Sequence, residues 1–124
     1  MIKGLGIDIV KIQRLIDGYE NFGEKFLNKI FTEQEIEYCN KHINNFEHFA
    51  GKFAVKEAFM KAIGSGIRQG VWFKDIEILN SYTQKPYVNL YNKAKLSFDE
   101  LQCNNIYISI THTDDIAAAV VVLE

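Results

Sequence analysis

The chain has one proline, one tryptophan and two cysteines in 124 residues. It also has no apolar run near the roughly 20 residues needed to cross a bilayer. Each scarcity excludes something. Cys39 and Cys103 are too few, and too ordinary in spacing, for a disulfide scaffold or a zinc site, and they read as reduced, half-buried thiols. The N-terminus lacks a basic segment followed by a clean apolar core, because Asp8 interrupts the run Gly4 to Val10. No signal peptide is expected, and the cytoplasm is the expected compartment. Charge of neither sign dominates: 14 Lys and Arg face 16 Asp and Glu, for a net charge of −2. That balance carries no footprint of nucleic-acid binding, so a docking patch for a charged partner has to be local. Aromatic residues are what the chain has in quantity, with nine Phe and six Tyr. A small monomer hides such a surplus poorly, which points to an oligomer.

Length and composition fit one domain spanning residues 1–124. Ile2 to Val10 reads as a strand ending at or just after Asp8, followed by a helix from Lys11 to Ile16 that Gly18 closes. Glu24 to Ile30 forms a further turn or two. Thr32-Glu33-Gln34-Glu35 is a capping box, with Phe31 and Ile36 at the staple positions, and it starts a helix that runs towards His42. A long helix covers Phe46 to Ile63 and stops at Gly64-Ser65-Gly66. Val71 to Leu79 and Tyr87 to Leu90 read as strands joined by a hairpin over Asn80 to Pro86. Asn92 to Leu101 is helical. Ile106 to Thr111 and Ile116 to Leu123 are strands joined through His112-Thr113-Asp114-Asp115. The fold class is α+β, an antiparallel sheet packed on helices.

Two acids sit where apolar residues belong. At about 100° per residue, Phe46, Phe49, Ala50, Phe53 and Met60 gather on one side of the long helix, and Glu57 projects from the middle of that arc. Lys61 follows one turn later. A surface Glu-to-Lys pair of this spacing contributes only a few tenths of a kcal/mol, but such a pair belongs opposite the aromatics, where Lys52 and Lys56 fit the solvated faces better. Asp8 alone reads equally well as a helix cap. Taken together, two carboxylates are too few for a calcium cage and suit magnesium, which keeps waters and takes further oxygens from substrate phosphates. Lys61 beside them neutralises the same phosphates as a point charge. Gly64-Ser65-Gly66 is a C-terminal cap that also permits close backbone approach to a phosphate. His112, at a strand end, has no nucleophile partner by sequence logic and no zinc spacing with His42 or His48.

Gly-Ile-Asp-Ile-Val at 6–10, Phe-Ala-Val-Lys-Glu-Ala at 53–58 running into Lys61-Ala-Ile-Gly-Ser-Gly-Ile, and Ser-Ile-Thr-His-Thr at 109–113 resemble the holo-[acyl-carrier-protein] synthase family. This is the small bacterial type of 4′-phosphopantetheinyl transferase. The resemblance implies the transferase fold and transfer of the phosphopantetheine arm of coenzyme A to a serine of apo-acyl carrier protein, in the service of fatty acid biosynthesis. It also implies a homotrimer with sites between subunits. Asp8 and Glu57 resemble the magnesium ligands, with Lys61 completing the catalytic set. Lys52, Lys61, Gly64, Ser65 and His112 fall at coenzyme A positions, and Arg14 at a carrier-docking position. The acceptor of the serine proton stays open between a metal-bound water, Glu57 and His112. Lys52 stands where the family usually has arginine, and Gln84-Lys85-Pro86 replaces a more usual Gly-basic-Pro turn. Two other readings remain: a non-catalytic oligomeric module that binds coenzyme A or a carrier protein, and another magnesium-dependent phosphotransfer enzyme with a nucleotide donor.

Overall fold

The computed structural model describes residues 1–64 and 70–124. The elements run β1 (Gly4–Lys11), α1 (Ile12–Phe22), α2 (Glu24–Ile30), α3 (Glu33–Asn40), α4 (Asn45–Ile63), a 3-10 turn (Phe73–Asp75), β2 (Ile76–Asn80), β3 (Pro86–Leu90), α5 (Asn92–Glu100), β4 (Ile106–His112) and β5 (Ile116–Leu123). The expected antiparallel sheet is divided in two among the described residues: a three-stranded sheet in the order β1-β5-β4, and the separate hairpin β2-β3.

Helix α4 is the centre of the molecule. It lies on β1 and β5, and its residues from Phe49 to Met60 are all buried except Glu57. The sequence reading of a one-sided apolar arc is therefore corrected. Lys52 and Lys56, expected on solvated faces, are buried at 3% and 0% exposure. A lysine enters a core only if its ammonium is paired and hydrogen-bonded, and Lys56 meets that condition fully. Its Nζ donates to Glu35 Oε1 at 2.8 Å and to the carbonyls of Phe73 and Ile76 at 2.9 and 2.6 Å, using all three donors. Glu35 is the capping-box glutamate: it also accepts from the Thr32 amide at 2.9 Å and, through Oε2, from the Ile78 amide at 2.8 Å. One ion pair thus ties α3, α4 and β2 together.

The N-terminal strand meets α4 backbone to backbone. A Cβ on Gly6 would stand 1.8 Å from the Ala58 carbonyl oxygen, so only a bare α-carbon allows this approach. Contrary to the sequence reading, β1 does not stop at Asp8 but pairs with β5 in unbroken register, from Gly4↔Leu123 through Asp8↔Ala119 to Lys11↔Ile116. Asp8 caps nothing, because the residue preceding α1 is Lys11, without a side-chain cap. Nor does Gly18 end α1. It lies inside the helix, where a Cβ would strike the Phe26 ring at 2.2 Å, and the chain turns instead at Gly23, with φ of +65°. The start of the expected strand over Val71 to Leu79 is the 3-10 turn, whose Phe73 and Ile76 carbonyls accept from Lys56. The remaining boundaries agree with the sequence reading within one or two residues.

The core lies between α4 and the inner face of the larger sheet, where Val10, Ala117, Ala119, Val121 and Leu123 are buried. The outer face is apolar as well. Register sets three rows across β1, β5 and β4: Leu5, Val122 and Tyr107; Ile7, Val120 and Ser109; and Ile9, Ala118 and Thr111. Leu5, Ile7 and Ile9 are more than three-fifths exposed.

Candidate functional site

Two clusters of functional side chains emerge. In the first, β1 brings Asp8 over the C-terminal half of α4. Lys61 Nζ donates to Asp8 Oδ1 and to the Ile7 carbonyl, both at 3.0 Å. The helix-spaced partner of Lys61 would be Glu57, yet its observed partner is the acid on the strand. Asp8 is largely covered, with a side chain 14% exposed, while Lys61 is 55% exposed. Glu57 is the single opening in the buried stretch of α4. Burial pushes its carboxyl above the ordinary carboxylate range and the charge of Asp8 adds to this, while Arg14 and Lys61 pull it back. Glu57 and Arg14 line a small cleft of about 190 Å³ with Phe26, Ile30, Phe53 and Phe73. The Arg14 guanidinium sits 5.5 Å from the Phe53 ring centroid. Phe26, Ile30 and Phe73 are shared with a larger groove of about 1140 Å³, which continues past Val71 and Trp72.

The second cluster lies elsewhere. Lys52 and His112 line a cleft of about 530 Å³ with Tyr38, His42, His48, Asn80 and Gln84 among its walls. Lys52 Nζ donates to the Ile78 carbonyl at 2.7 Å and to Asn80 Oδ1 at 2.8 Å, and it lies over the Tyr38 ring, 4.6 Å from the centroid. Burial lowers its affinity for the proton. His112 Nδ1 is 3.5 Å from Glu47 Oε2. Gln84, in the departing turn, has φ of 69°, a region that favours glycine. Its Oε1 accepts from the Tyr38 hydroxyl at 3.1 Å and its carbonyl from Asn80 Nδ2 at 3.2 Å.

The sequence-predicted residues therefore divide. Asp8, Glu57, Lys61 and Arg14 come together on one side. Lys52 and His112 come together in a cleft lined by none of those four. Gly64 closes α4 in the left-handed conformation with φ of 81°, its amide donating to the Met60 carbonyl at 3.1 Å. Ser65 lies outside the described residues. Sequence reasoning missed His42 and His48 as members of the second cleft. The available signal was composition: the chain has three histidines, and all three line this one cleft.

For a hard divalent cation, the donor set at Asp8 and Glu57 fits: two carboxylates with no thiol or imidazole in the pair. Among the described residues no group of three or more His, Cys, Asp or Glu could hold a metal ion. Oxygens beyond these two carboxylates have to come from water and substrate, as magnesium sites prefer.

Residues 4–121 match the profile of the 4′-phosphopantetheinyl transferase superfamily. A holo-[acyl-carrier-protein] synthase of Clostridium perfringens is 46% identical over 128 aligned residues, covering 100% of this chain and 95% of the relative. That of Halothermothrix orenii is 42% identical over 124 residues, covering 100% and 98%. Among solved structures, the synthase of Neisseria meningitidis superposes with a TM-score of 0.90 at 33% identity over 100% of this chain and 99% of that one. The Helicobacter pylori synthase in complex with coenzyme A superposes at 0.84, with 34% identity over 97% and 99%. With motif order, fold and full-length similarity in agreement, the chain belongs to the 4′-phosphopantetheinyl transferase superfamily, as one of its holo-[acyl-carrier-protein] synthases.

Proposed function

We propose that the chain transfers the 4′-phosphopantetheine moiety of coenzyme A to a serine hydroxyl of an apo-acyl carrier protein, releasing adenosine 3′,5′-bisphosphate. The observation that carries this reading is the cluster of Asp8, Glu57 and Lys61, two acids and a base held at the surface end of a buried helix. Asp8 and Glu57 hold a magnesium ion when it is bound. Held there, the ion would supply positive charge to offset the negative charge that develops on the leaving pyrophosphate oxygens. Lys61, half exposed and paired with Asp8, carries an ammonium that would meet the same phosphates from beside the two carboxylates. Positioning and electrostatics supply most of the rate, as in phosphoryl transfer generally.

The donor's nucleotide end takes the second cleft, where Lys52 offers a cationic donor and His112 an imidazole ring, and Gly64 ends the helix that carries Lys52 and Lys61. Because the two clusters occupy different clefts of one chain, a complete site needs the acid cluster of one copy and the Lys52 cleft of another. The apolar outer face of β1, β5 and β4 is the surface that joins copies, and the assembly is a homotrimer with sites between subunits. The carrier docks against α1, where Arg14 is exposed beside the Glu57 cleft and Lys11 lies one turn earlier.

The test is the intact mass of a bacterial apo-acyl carrier protein incubated with the chain, coenzyme A and magnesium, with and without a chelator. A gain equal to the phosphopantetheine arm, abolished by chelation and by Glu57→Gln in a folded protein, is expected. Transfer that survived Glu57→Gln would remove the metal assignment. No transfer from a folded wild-type chain that still binds coenzyme A would favour the non-catalytic module instead.

A further inference from the structure

His42 and His48 have no place in the chemistry above, yet they form the most unusual contact in the second cleft. Their rings lie 4.0 Å apart between centroids and are tilted by 35°. Tyr38 closes the stack, its ring 4.8 Å from His42 and 5.7 Å from His48. Carbonyl oxygens only accept, so the 3.0 Å contact between His42 Nδ1 and the Tyr38 carbonyl makes Nδ1 the donor. The ring nitrogen of His42 left without a hydrogen bond is then Nε2.

The charges around this pair are few. From α4 come Lys52 and Glu47; from β4 comes His112; β2 and its hairpin add the uncharged Asn80 and Gln84. From α3 come Tyr38, whose hydroxyl burial pushes up, and Cys39, whose thiol burial pushes up to about 12, so both are neutral at physiological pH. Glu35 and Glu77 act on Lys52 from below the cleft. Glu47, the one carboxylate in the lining, is already engaged by Asn44 Nδ2 at 2.6 Å and His112. Burial and the neighbouring His42, Lys52 and His112 hold His48 below its ordinary proton affinity. Two stacked imidazolium rings beside a lysine repel one another, so the empty cleft resists a second positive charge. An anion reverses the balance.

We propose that His42 and His48, with Lys52 and His112, make this cleft a proton-linked site for a phosphate monoester dianion, which binds together with a proton taken from solvent onto the imidazole pair. The proposal rests on coenzyme A as the donor, whose 3′-phosphate is such a group and whose pyrophosphate is not. No covalent bond changes. One proton passes from water to an imidazole nitrogen and returns when the ligand leaves. The sign follows: binding raises the histidine's proton affinity, so ligand affinity falls as pH rises through the range in which the bound imidazole titrates.

The test is calorimetric titration of the folded chain with coenzyme A and with dephospho-coenzyme A, at several pH values above about 7, where a phosphate monoester is already a dianion. Each titration is repeated in two buffers of different ionisation heat to count protons. Coenzyme A is expected to bind with net proton uptake and to weaken with rising pH, by at most about tenfold per unit for one proton. Dephospho-coenzyme A is expected to bind more weakly and without uptake. His48→Gln and His42→Gln are each expected to reduce the uptake and flatten the pH dependence for coenzyme A. Coenzyme A binding without proton uptake, or identical uptake with the dephospho ligand, overturns the inference and leaves the donor reading standing. Absence of binding by either ligand at every pH overturns both.

Discussion

At the scale of single residues, the main lesson concerns charge that is buried for a reason. Lys56 and Glu35 are both fully covered and fully hydrogen-bonded. Removing one partner of such a pair strands the other, at a cost of about 3–5 kcal/mol. Lys56→Met is therefore expected to lower the urea unfolding free energy by about that amount. The double variant Lys56→Met, Glu35→Gln should recover part of the loss, because no lone charge remains. His48 gives a prediction with a sign. Its proton affinity in the folded chain lies below the ordinary histidine value of 6.5. Below pH 6.5 the unfolded chain takes up that proton first, so stability falls with acidity across this window and levels off below the folded value. Subtracting the stability-against-pH curve of His48→Gln from that of the wild type should reveal this slope; two parallel curves would refute it.

At the scale of elements, glycines decide where the site forms. Gly6→Ala would push a methyl group into the Ala58 carbonyl, with no flexible side chain able to give way. Overpacking of this kind costs about 1–3 kcal/mol or more, and here it also lifts β1, with Asp8, away from Glu57. Transfer activity should fall well beyond what the stability loss explains. Gly23→Ala is the control. It meets nothing within 4 Å but sits at φ +65° and ψ −145°, a region that side-chain-bearing residues rarely adopt, so about 1–3 kcal/mol of backbone strain is expected with activity retained. Chemical denaturation with a parallel transfer assay separates the two. The same elements mark what a reader of sequence can see. Strand β4, the capping box at Thr32 and the span of α4 followed from alternation, cap chemistry and helical period. Asp8 and Glu57 stood out as acids among apolar neighbours. The burial of Lys52 and Lys56 was not legible, because helical phase orders side chains by angle and says nothing of a second layer covering the other face. Here α3 and β2 supply that layer. The reading of Gly18 failed for a related reason: a terminator and a packing notch for Phe26 look alike in one dimension.

At the scale of the whole molecule, the proposed sharing of the site between copies predicts that assembly is a condition of activity. Ile7→Lys, in the middle row of the exposed apolar face, is expected to leave circular dichroism unchanged, reduce the sedimenting mass to that of one chain and abolish transfer. Mixing Glu57→Gln chains with His112→Ala chains provides the complement. Each variant spoils a different half, so subunit exchange should restore on the order of one quarter of the sites in a cyclic assembly. Two inactive proteins that stay inactive when mixed would place both halves on one chain. The burial of α4 has a consequence for how this protein can be lost. Glu57 and Lys61 grow from a helix whose residues from Phe49 to Met60 are enclosed almost without a gap. Amide hydrogens in such a segment exchange with solvent only when the entire domain opens. Fraying at the termini or in the outer helices leaves Glu57 and Lys61 standing, so as long as the copies stay assembled, activity and the native state should vanish together, at a single denaturant concentration, rather than the first before the second.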